Sequence, residues 1–136
     1  MIVTDACTVI AWALADENGD AANPALEYAA QTGALVPGNF MTEVVQALAK
    51  AERRGRIDEA ATDLTLTEIL HLPITTEMPD AHATLKLARK YRLTAYDAAY
   101  LALALQAQLP LATIDATLGE AARSAKCAWK PKGAST

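Results

Sequence analysis

Four acidic residues of this 136-residue chain are spaced so that they could act together. Asp5 directly follows a short β-branched run, and Asp115 directly follows a second apolar run near the C-terminus. Asp97 falls in the first turn of a predicted helix, where the helix dipole favours an ionised carboxylate, and Glu43 lies one turn into another. If the two apolar runs are neighbouring parallel strands, Asp5 and Asp115 point into one crevice at their carboxyl ends. The sequence therefore predicts one acidic pocket.

The chemistry of such a pocket follows from its charge. Carboxylates that share a crevice repel one another and raise each other's pKa unless a cation compensates them. Oxygen ligands suit a hard cation, Mg²⁺ or Mn²⁺, which keeps several waters and contacts phosphate. Because such an ion can activate water and stabilise charge on a phosphodiester, the pocket predicts phosphodiester hydrolysis. His71 and His82 are predicted to be structural, which leaves no side-chain nucleophile.

Each acid taken alone has a simpler explanation. Asp5 and Asp115 could be N-caps of the helices that follow them, and Thr94 with Asp97 fits a capping box. Glu43 alone could be a surface acid. Two other protein classes also place aspartates at the edge of a parallel sheet. A receiver domain needs an acidic pair near the first strand and a lysine after a late strand, neither of which is found here. A haloacid-dehalogenase-like phosphatase needs D-x-D, whereas the third position of that motif is Cys7.

The elements that must position these acids alternate between short apolar runs and helical patterns, which is typical of a parallel sheet covered by helices. Strands are predicted over residues 2–4, 35–36, 72–75 and 111–114, and helices over 6–14, 21–31, 40–54, 59–70, 81–91, 95–108 and 117–125. A polar loop is predicted over 15–20, and residues 127–129 suit an edge strand. This order predicts an α/β fold with a doubly wound sheet, a central first strand and a ligand crevice at the carboxyl ends of the strands.

Composition indicates one ordinary domain, since 52% of the residues are apolar and a chain of this length can bury a core unaided. We expect it to span residues 1–130, with a flexible tail at 131–136. Cys7 and Cys127 lack metal-binding spacing, so we expect reduced, buried thiols. With no signal peptide and no apolar run long enough for a bilayer, the expected location is cytoplasmic, without membrane association.

The net charge of −4 hides an uneven distribution of the twelve basic residues. They fall into three groups: Lys50, Arg53, Arg54 and Arg56; Lys86, Arg89, Lys90 and Arg92; and Arg123, Lys126, Lys130 and Lys132. The first two groups suit the solvated C-terminal ends of helices, where cations complement the dipole. Contacts with phosphates beside the acidic pocket are the alternative.

Four segments carry a resemblance that covers nearly the whole chain in order: MIVTDACTVIAW, LVPGNFMTEVVQALAKAERRGRI, LTAYDAAYLALAL and LPLATIDATLGEAARSA. Together they resemble the PIN-domain ribonucleases and, among these, the VapC toxins of toxin-antitoxin pairs. The resemblance implies a three-layer α/β sandwich with a central parallel sheet flanked by helices. It also implies Mg²⁺- or Mn²⁺-dependent endonuclease cleavage of RNA that leaves a 5′-phosphate and a 3′-hydroxyl.

The resemblance also implies roles for individual residues. Asp5, Glu43, Asp97 and Asp115 match the family's acids, with Asp5 and Asp97 holding the metal most directly and Asp115 and Glu43 closer to water or a second ion. Thr113 matches a hydroxyl residue that supports the site, although a plain strand threonine is the alternative. Cys7 stands where members of the family commonly have serine. Asn39 could contact substrate, or it could have a structural role in the loop or as a helix cap.

The implied partners are RNA, a VapB-type antitoxin and a second copy of the chain. In the family the antitoxin's extended tail lies across the acidic pocket and often inserts a basic side chain. Homodimerisation is implied in the same way.

Overall fold

The computed structural model describes residues 1–15 and 19–132 of the chain. Its strands are β1 (Ile2–Thr4), β2 (Ala34–Val36), β3 (Ile74–Thr76) and β4 (Leu111–Ala112). Its helices are α1 (Ala6–Leu14), α2 (Gly19–Thr32), α3 (Phe40–Arg53), α4 (Glu59–Leu70), α5 (Ala81–Tyr91), α6 (Ala95–Ala107) and α7 (Ala116–Ser124). No helix in these described ranges is long and apolar enough to cross a membrane.

The four strands form one parallel sheet in the order β3-β2-β1-β4. Strand β1 is interior and buried along its length, and Val3 pairs with Leu35 on one side and Leu111 on the other. A strand covered on both faces buries every side chain, which suits the apolar Ile2 and Val3, while the buried Thr4 hydroxyl donates to the Ala112 carbonyl at 3.0 Å. The predicted central first strand and the α/β fold are confirmed.

The helices form two groups on the sheet. Helix α1 contacts α2, α3 and α4, while α6 contacts α5, α7 and three strands. The chain moves one way along the sheet from β1 to β3 and returns past β1 to reach β4, so right-handed crossovers place these groups on opposite faces. The sheet thus lies between helical layers. The continuous apolar run of α6 follows from its place against the sheet, where residues 98–104 are all buried.

Side-chain caps start five of the helices. The capping oxygens of Asp5, Asp58, Asp80, Thr94 and Asp115 accept from the backbone N–H three residues later. Such a cap satisfies a donor that the helix itself leaves unpaired. The capping alternative is therefore correct for Asp5 and Asp115, and it anchors both carboxylates at the ends of β1 and β4.

Two predicted strands are shorter in the structure. Strand β4 ends at Ala112 instead of residue 114, because the Ile114 N–H turns to the Thr8 hydroxyl, 3.0 Å away. Strand β3 starts at Ile74, two residues later than predicted, since Leu72 still donates its N–H to Ile69 at the end of α4. The edge strand over 127–129 is reduced to one parallel bridge between Leu111 and Ala128.

The loop and the tail are only partly covered by the described residues. Helix α2 already begins at Gly19, so the predicted loop over 15–20 was wrong at its end. Residues 16–18 of that loop and residues 133–136 of the predicted tail lie outside the described ranges.

Candidate active site

Asp5 stands at the point where β1 ends and α1 begins, and its side chain is only 4% exposed. Its Oδ2 accepts hydrogen bonds from the Thr113 hydroxyl at 2.7 Å and from Cys7 Sγ at 3.3 Å. Its Oδ1 accepts from the backbone N–H of Thr8 at 3.3 Å and from the Thr8 hydroxyl. A buried carboxylate is thus held on both oxygens by neutral donors.

Two threonine hydroxyls connect Asp5 to the end of the neighbouring strand. The backbone N–H of Asp115 donates to the Thr113 hydroxyl at 3.0 Å, as that of Ile114 does to the Thr8 hydroxyl. Each threonine therefore accepts from the backbone after β4 and donates to one oxygen of Asp5. Because β1 and β4 are direct neighbours, these bonds bring the two strand-end aspartates, Asp5 and Asp115, to the same edge of the sheet.

Glu43 and Asp97 form the opposite side of the site. Glu43, in the first turn of α3, accepts from the amide of Asn39 and from the Tyr100 hydroxyl at 3.2 Å. Tyr100 lies one helical turn beyond Asp97 on α6 and is fully buried, so its hydroxyl connects α3 to α6. The N–H of Asp97 donates to the Thr94 hydroxyl at 3.1 Å, which keeps Asp97 at the helix start.

The charges of the four acids affect one another across the site. Burial raises the pKa of Glu43, and the carboxylates of Asp97 and Asp5 raise it further. Burial likewise raises the pKa of Asp97, with added contributions from Asp115 and Asp5. The opposing effects come from the neutral donors Asn39, Tyr100 and Thr94, with no cation among them. The four acids therefore lie close enough for their charges to act on one another.

A groove leads away from Glu43 and Asp97 between α3 and the start of α6. It encloses about 600 Å³ and is lined by Asn39, Thr42, Glu43, Gln46, Ala47, Lys50, Thr94, Tyr96 and Asp97. Lys50 lies seven residues after Glu43, which puts both on one face of α3 and about 10 Å apart along its axis. The groove therefore joins two carboxylates to one cation.

The family follows from the sequence as a whole. Residues 2–124 match the PIN domain family, which is most of the chain. The chain belongs to the PIN domain family. PIN domains are typically nucleases and generally use divalent metal ions, so the acidic pocket is the candidate active site of a nuclease fold.

One solved structure supports the same assignment. The fold is similar to that in the crystal structure of PAE2754 from Pyrobaculum aerophilum, with a TM-score of 0.69 and 26% sequence identity. The match covers 88% of this chain and 84% of that chain. A search of the curated proteins gives no match.

The chemistry of the acidic pocket fits a divalent ion, although its side chains do not form a closed ligand shell. Within residues 1–15 and 19–132, no group of three or more histidine, cysteine, aspartate or glutamate side chains is arranged to hold a metal ion. The donors are nonetheless carboxylate oxygens, and neighbouring carboxylates raise the pKa of both Glu43 and Asp97. Such a set favours a hard cation that keeps part of its water shell.

Several contacts at the site were not predicted. Thr8 lies three residues after Asp5, and Tyr100 lies three residues after Asp97. Residues with this spacing lie on the same face of a helix, which is the sequence signal that could have indicated both contacts. Asn39 makes no side-chain cap and donates to Glu43 instead.

Cys7 corrects one expectation. Its side chain is exposed, so the predicted burial was wrong, because position 7 lies in the first turn of α1 on the solvent side. Its Sγ donates to Asp5, a bond that a serine hydroxyl could also make. Partial desolvation of the sulfur and the charge of Asp5 raise the pKa of this thiol.

Proposed function

We propose that this protein is a Mg²⁺- or Mn²⁺-dependent endoribonuclease that hydrolyses RNA phosphodiester bonds at the acidic pocket. The observation that carries the proposal is that the neighbouring strands β1 and β4 bring Asp5 and Asp115 to one edge of the sheet, where burial and nearby carboxylates raise the pKa of Glu43 and Asp97. Membership of a nuclease family supports the reaction class. The choice of RNA rests on the resemblance to VapC toxins.

The carboxylates have distinct roles in this proposal. Asp5 and Asp97 would hold the metal most directly, while Asp115 and Glu43 would orient water or hold a second ion. The metal, when bound, supplies charge neutralisation at the scissile phosphate and lowers the pKa of a water. Thr113 is a positioning residue, because its hydroxyl donates to Asp5 Oδ2 and so fixes the orientation of that carboxylate.

The other groups of the pocket act on Glu43 and on substrate. Tyr100 and Asn39 donate to Glu43 and hold its carboxylate toward the Asp97 side. Lys50 contacts a phosphate of RNA lying in the groove beside Glu43. Cleavage then leaves a 5′-phosphate and a 3′-hydroxyl.

We further propose that the protein is a VapC-type toxin that acts in the cytoplasm as a homodimer. Its partner is a VapB-type antitoxin whose extended tail crosses the acidic pocket. The mutual repulsion of the carboxylates supports this idea, since a basic side chain inserted there would reduce it. A short reading frame for a DNA-binding protein directly upstream, and inhibition by its product, are the expected observations. Full activity in the presence of that product would contradict the pairing.

The enzymatic proposal is tested by parallel assays on RNA, DNA and an aryl phosphate monoester. We expect RNA cleavage with Mn²⁺ or Mg²⁺, none with chelator, and none by Asp97→Asn, whose circular dichroism should match the wild type. The Lys86→Ala variant on the outer surface of α5 is the control and should cleave normally. Metal-independent cleavage, or retained cleavage by Asp97→Asn, would contradict the proposed mechanism. A preference for the aryl phosphate monoester would indicate a phosphatase.

A further inference from the structure

A second charged feature, opposite in sign to the acidic pocket, lies at the C-terminal side of the domain. Arg123, Lys126 and Lys130, with Ala128, line a cavity of about 360 Å³, which we call the basic cleft. These residues belong to the third basic group of the sequence. The first two basic groups suit the solvated ends of helices, whereas three cations of the third group face one cavity.

The backbone holds the basic cleft in place. At the end of α7, Lys126 takes the left-handed conformation with φ +62°. The N–H of Lys126 donates to the carbonyl of Arg123 and the N–H of Cys127 to the carbonyl of Ala122, which ends the helix. The next segment is tied to the edge of β4 by two backbone hydrogen bonds. The N–H of Leu111 donates to the carbonyl of Cys127 at 2.7 Å, and the N–H of Trp129 donates to the carbonyl of Leu111 at 2.9 Å. The cations therefore extend from an ordered backbone.

The basic cleft continues toward the acidic pocket. Arg123 and Lys130 also line a neighbouring cavity of about 340 Å³ whose wall includes Thr8 and Thr113, the two threonines that hold Asp5. The Arg123 side chain folds back over Gly119. An added Cβ at Gly119 would lie 3.5 Å from Arg123 Nη1 and 3.8 Å from Thr113 Cγ2. Arg123 is therefore beside the hydroxyl network of Asp5.

The charge of this region is one-sided. Among the described residues, no aspartate or glutamate lines either cavity, although the chain as a whole carries a net charge of −4. Trp129, which is packed against Tyr28 with ring centroids 5.9 Å apart, adds an aromatic wall to the cavity next to Thr113. Cations next to an aromatic surface are the combination that binds single-stranded nucleic acid.

We propose that the basic cleft binds backbone phosphates of the RNA strand that flanks the scissile bond. The inference rests on the proposed ribonuclease function and adds the path of the substrate: past Arg123 and Thr113 and away along Lys126 and Lys130. The basic cleft adjoins the Asp5 network, so an RNA strand bound there would extend to the acidic pocket where the scissile phosphate is expected. This continuity favours RNA over an acidic protein segment as the occupant.

The test compares two charge-matched triple variants. The first combines Arg123→Ala, Lys126→Gly and Lys130→Ala, where glycine suits the left-handed position and so removes the cation without backbone strain. The matched control combines Lys86→Ala, Arg89→Ala and Lys90→Ala, which removes one arginine and two lysines, all exposed, from α5. Thermal unfolding of both is expected to stay close to the wild type.

Binding is measured by fluorescence anisotropy with a labelled single-stranded RNA of about 15 nucleotides, in chelator, across a salt series. The cleft variant should bind at least about tenfold more weakly than the control. Its negative slope of log affinity against log salt should become shallower by about 2, since each phosphate contact contributes roughly −0.7. With Mn²⁺ it should still cleave a short oligonucleotide, with a raised KM only for the longer RNA.

Each contrary outcome has a separate meaning. Wild-type affinity in the cleft variant, or an equal loss in the α5 control, would overturn the basic cleft as the substrate path while leaving the ribonuclease proposal intact. Competition by polyglutamate at lower concentrations than RNA would overturn it in favour of an acidic protein partner. Absence of RNA binding and cleavage by the wild type would overturn both proposals.

Discussion

The Asp5 side of the acidic pocket is held by a pair of strands, whereas the Glu43 side depends on one side-chain bond between two helices. Asp5 accepts from three side chains and a backbone N–H and is almost fully buried. Glu43 has two side-chain donors, is half-buried, and has a raised pKa. One side of the pocket is therefore pre-organised by the sheet, whereas on the other side burial and nearby carboxylates disfavour the charged form of Glu43.

The largest effect is expected at the pre-organised side. Asp5→Asn removes a charge and turns an amide donor toward Thr113 or Thr8, which already donate there. We expect RNA cleavage to fall by on the order of 1,000-fold, a loss of about 4 kcal/mol in transition-state stabilisation. The unfolding free energy should fall by about 1–3 kcal/mol for the mispaired buried group. Single-turnover cleavage and urea unfolding check both, and an unchanged rate would contradict the role of Asp5.

The next effect isolates the hydroxyl that orients Asp5. Thr113→Val keeps the shape of the side chain but removes the 2.7 Å bond to Oδ2 and the acceptor for Asp115 N–H. Loss of a group that orients a metal ligand costs about 10- to 100-fold in activity or metal affinity. The manganese dependence of cleavage measures it. Thr113→Ser is the control and should recover most of the activity, because it keeps the hydroxyl. Equal rates for Thr113→Val and Thr113→Ser would show that the hydroxyl has no role in catalysis.

Stability should change in the opposite direction on the Glu43 side. Glu43→Gln removes a carboxylate that burial and its neighbours disfavour, while its amide oxygen can still accept from Tyr100. In chelator, we expect its Tm to rise above the wild type, whereas cleavage should fall. Differential scanning calorimetry of both proteins in chelator gives the sign. A Tm as low as that of Asp5→Asn would remove the distinction between the two sides.

The same groups predict a pH dependence with a definite sign. The folded-state pKa values of Glu43 and Asp97 lie above the ordinary 4.5 and 3.8. At a pH between the ordinary and the raised pKa of each group, the folded protein therefore binds more protons than the unfolded chain. In chelator, the unfolding free energy therefore falls as pH rises through that window. Cleavage should show the reverse trend, because protons compete with the metal. Urea midpoints and rates from pH 4 to pH 8 check it, and Glu43→Gln should flatten the stability profile.

The smallest effect is expected at Tyr100. Tyr100→Phe removes the 3.2 Å hydrogen bond to Glu43 but leaves the buried ring in the core. A single hydrogen bond of this kind contributes about 1 kcal/mol, so cleavage should fall less than tenfold. Steady-state kinetics measure it. A loss as large as that of Asp5→Asn would mean that Tyr100 contacts the reacting groups.

Much of the fold was predictable because its signals are local. Asp115 follows an apolar run and caps a helix, as its position predicted, and the Ala-rich pattern of α6 matched a helix on the sheet. The length of β4 was not predictable, since it ends where Ile114 turns to Thr8, which is 106 residues away in the chain. The bond from Tyr100 to Glu43 spans 57 residues and was missed for the same reason.

The sequence by itself determined the elements, the caps and the placement of acids at strand ends, because periodicity and capping act over a few neighbouring residues. The tertiary structure decided which of these acids meet. The β3-β2-β1-β4 order sets Asp5 beside Asp115, and the packing of α6 on the sheet brings Asp97 toward Glu43. It also brought Arg123, Lys126 and Lys130 to one cavity, next to the cavity that Arg123 and Lys130 share with Thr113. Such long-range neighbours depend on crossovers and burial, which no local pattern encodes.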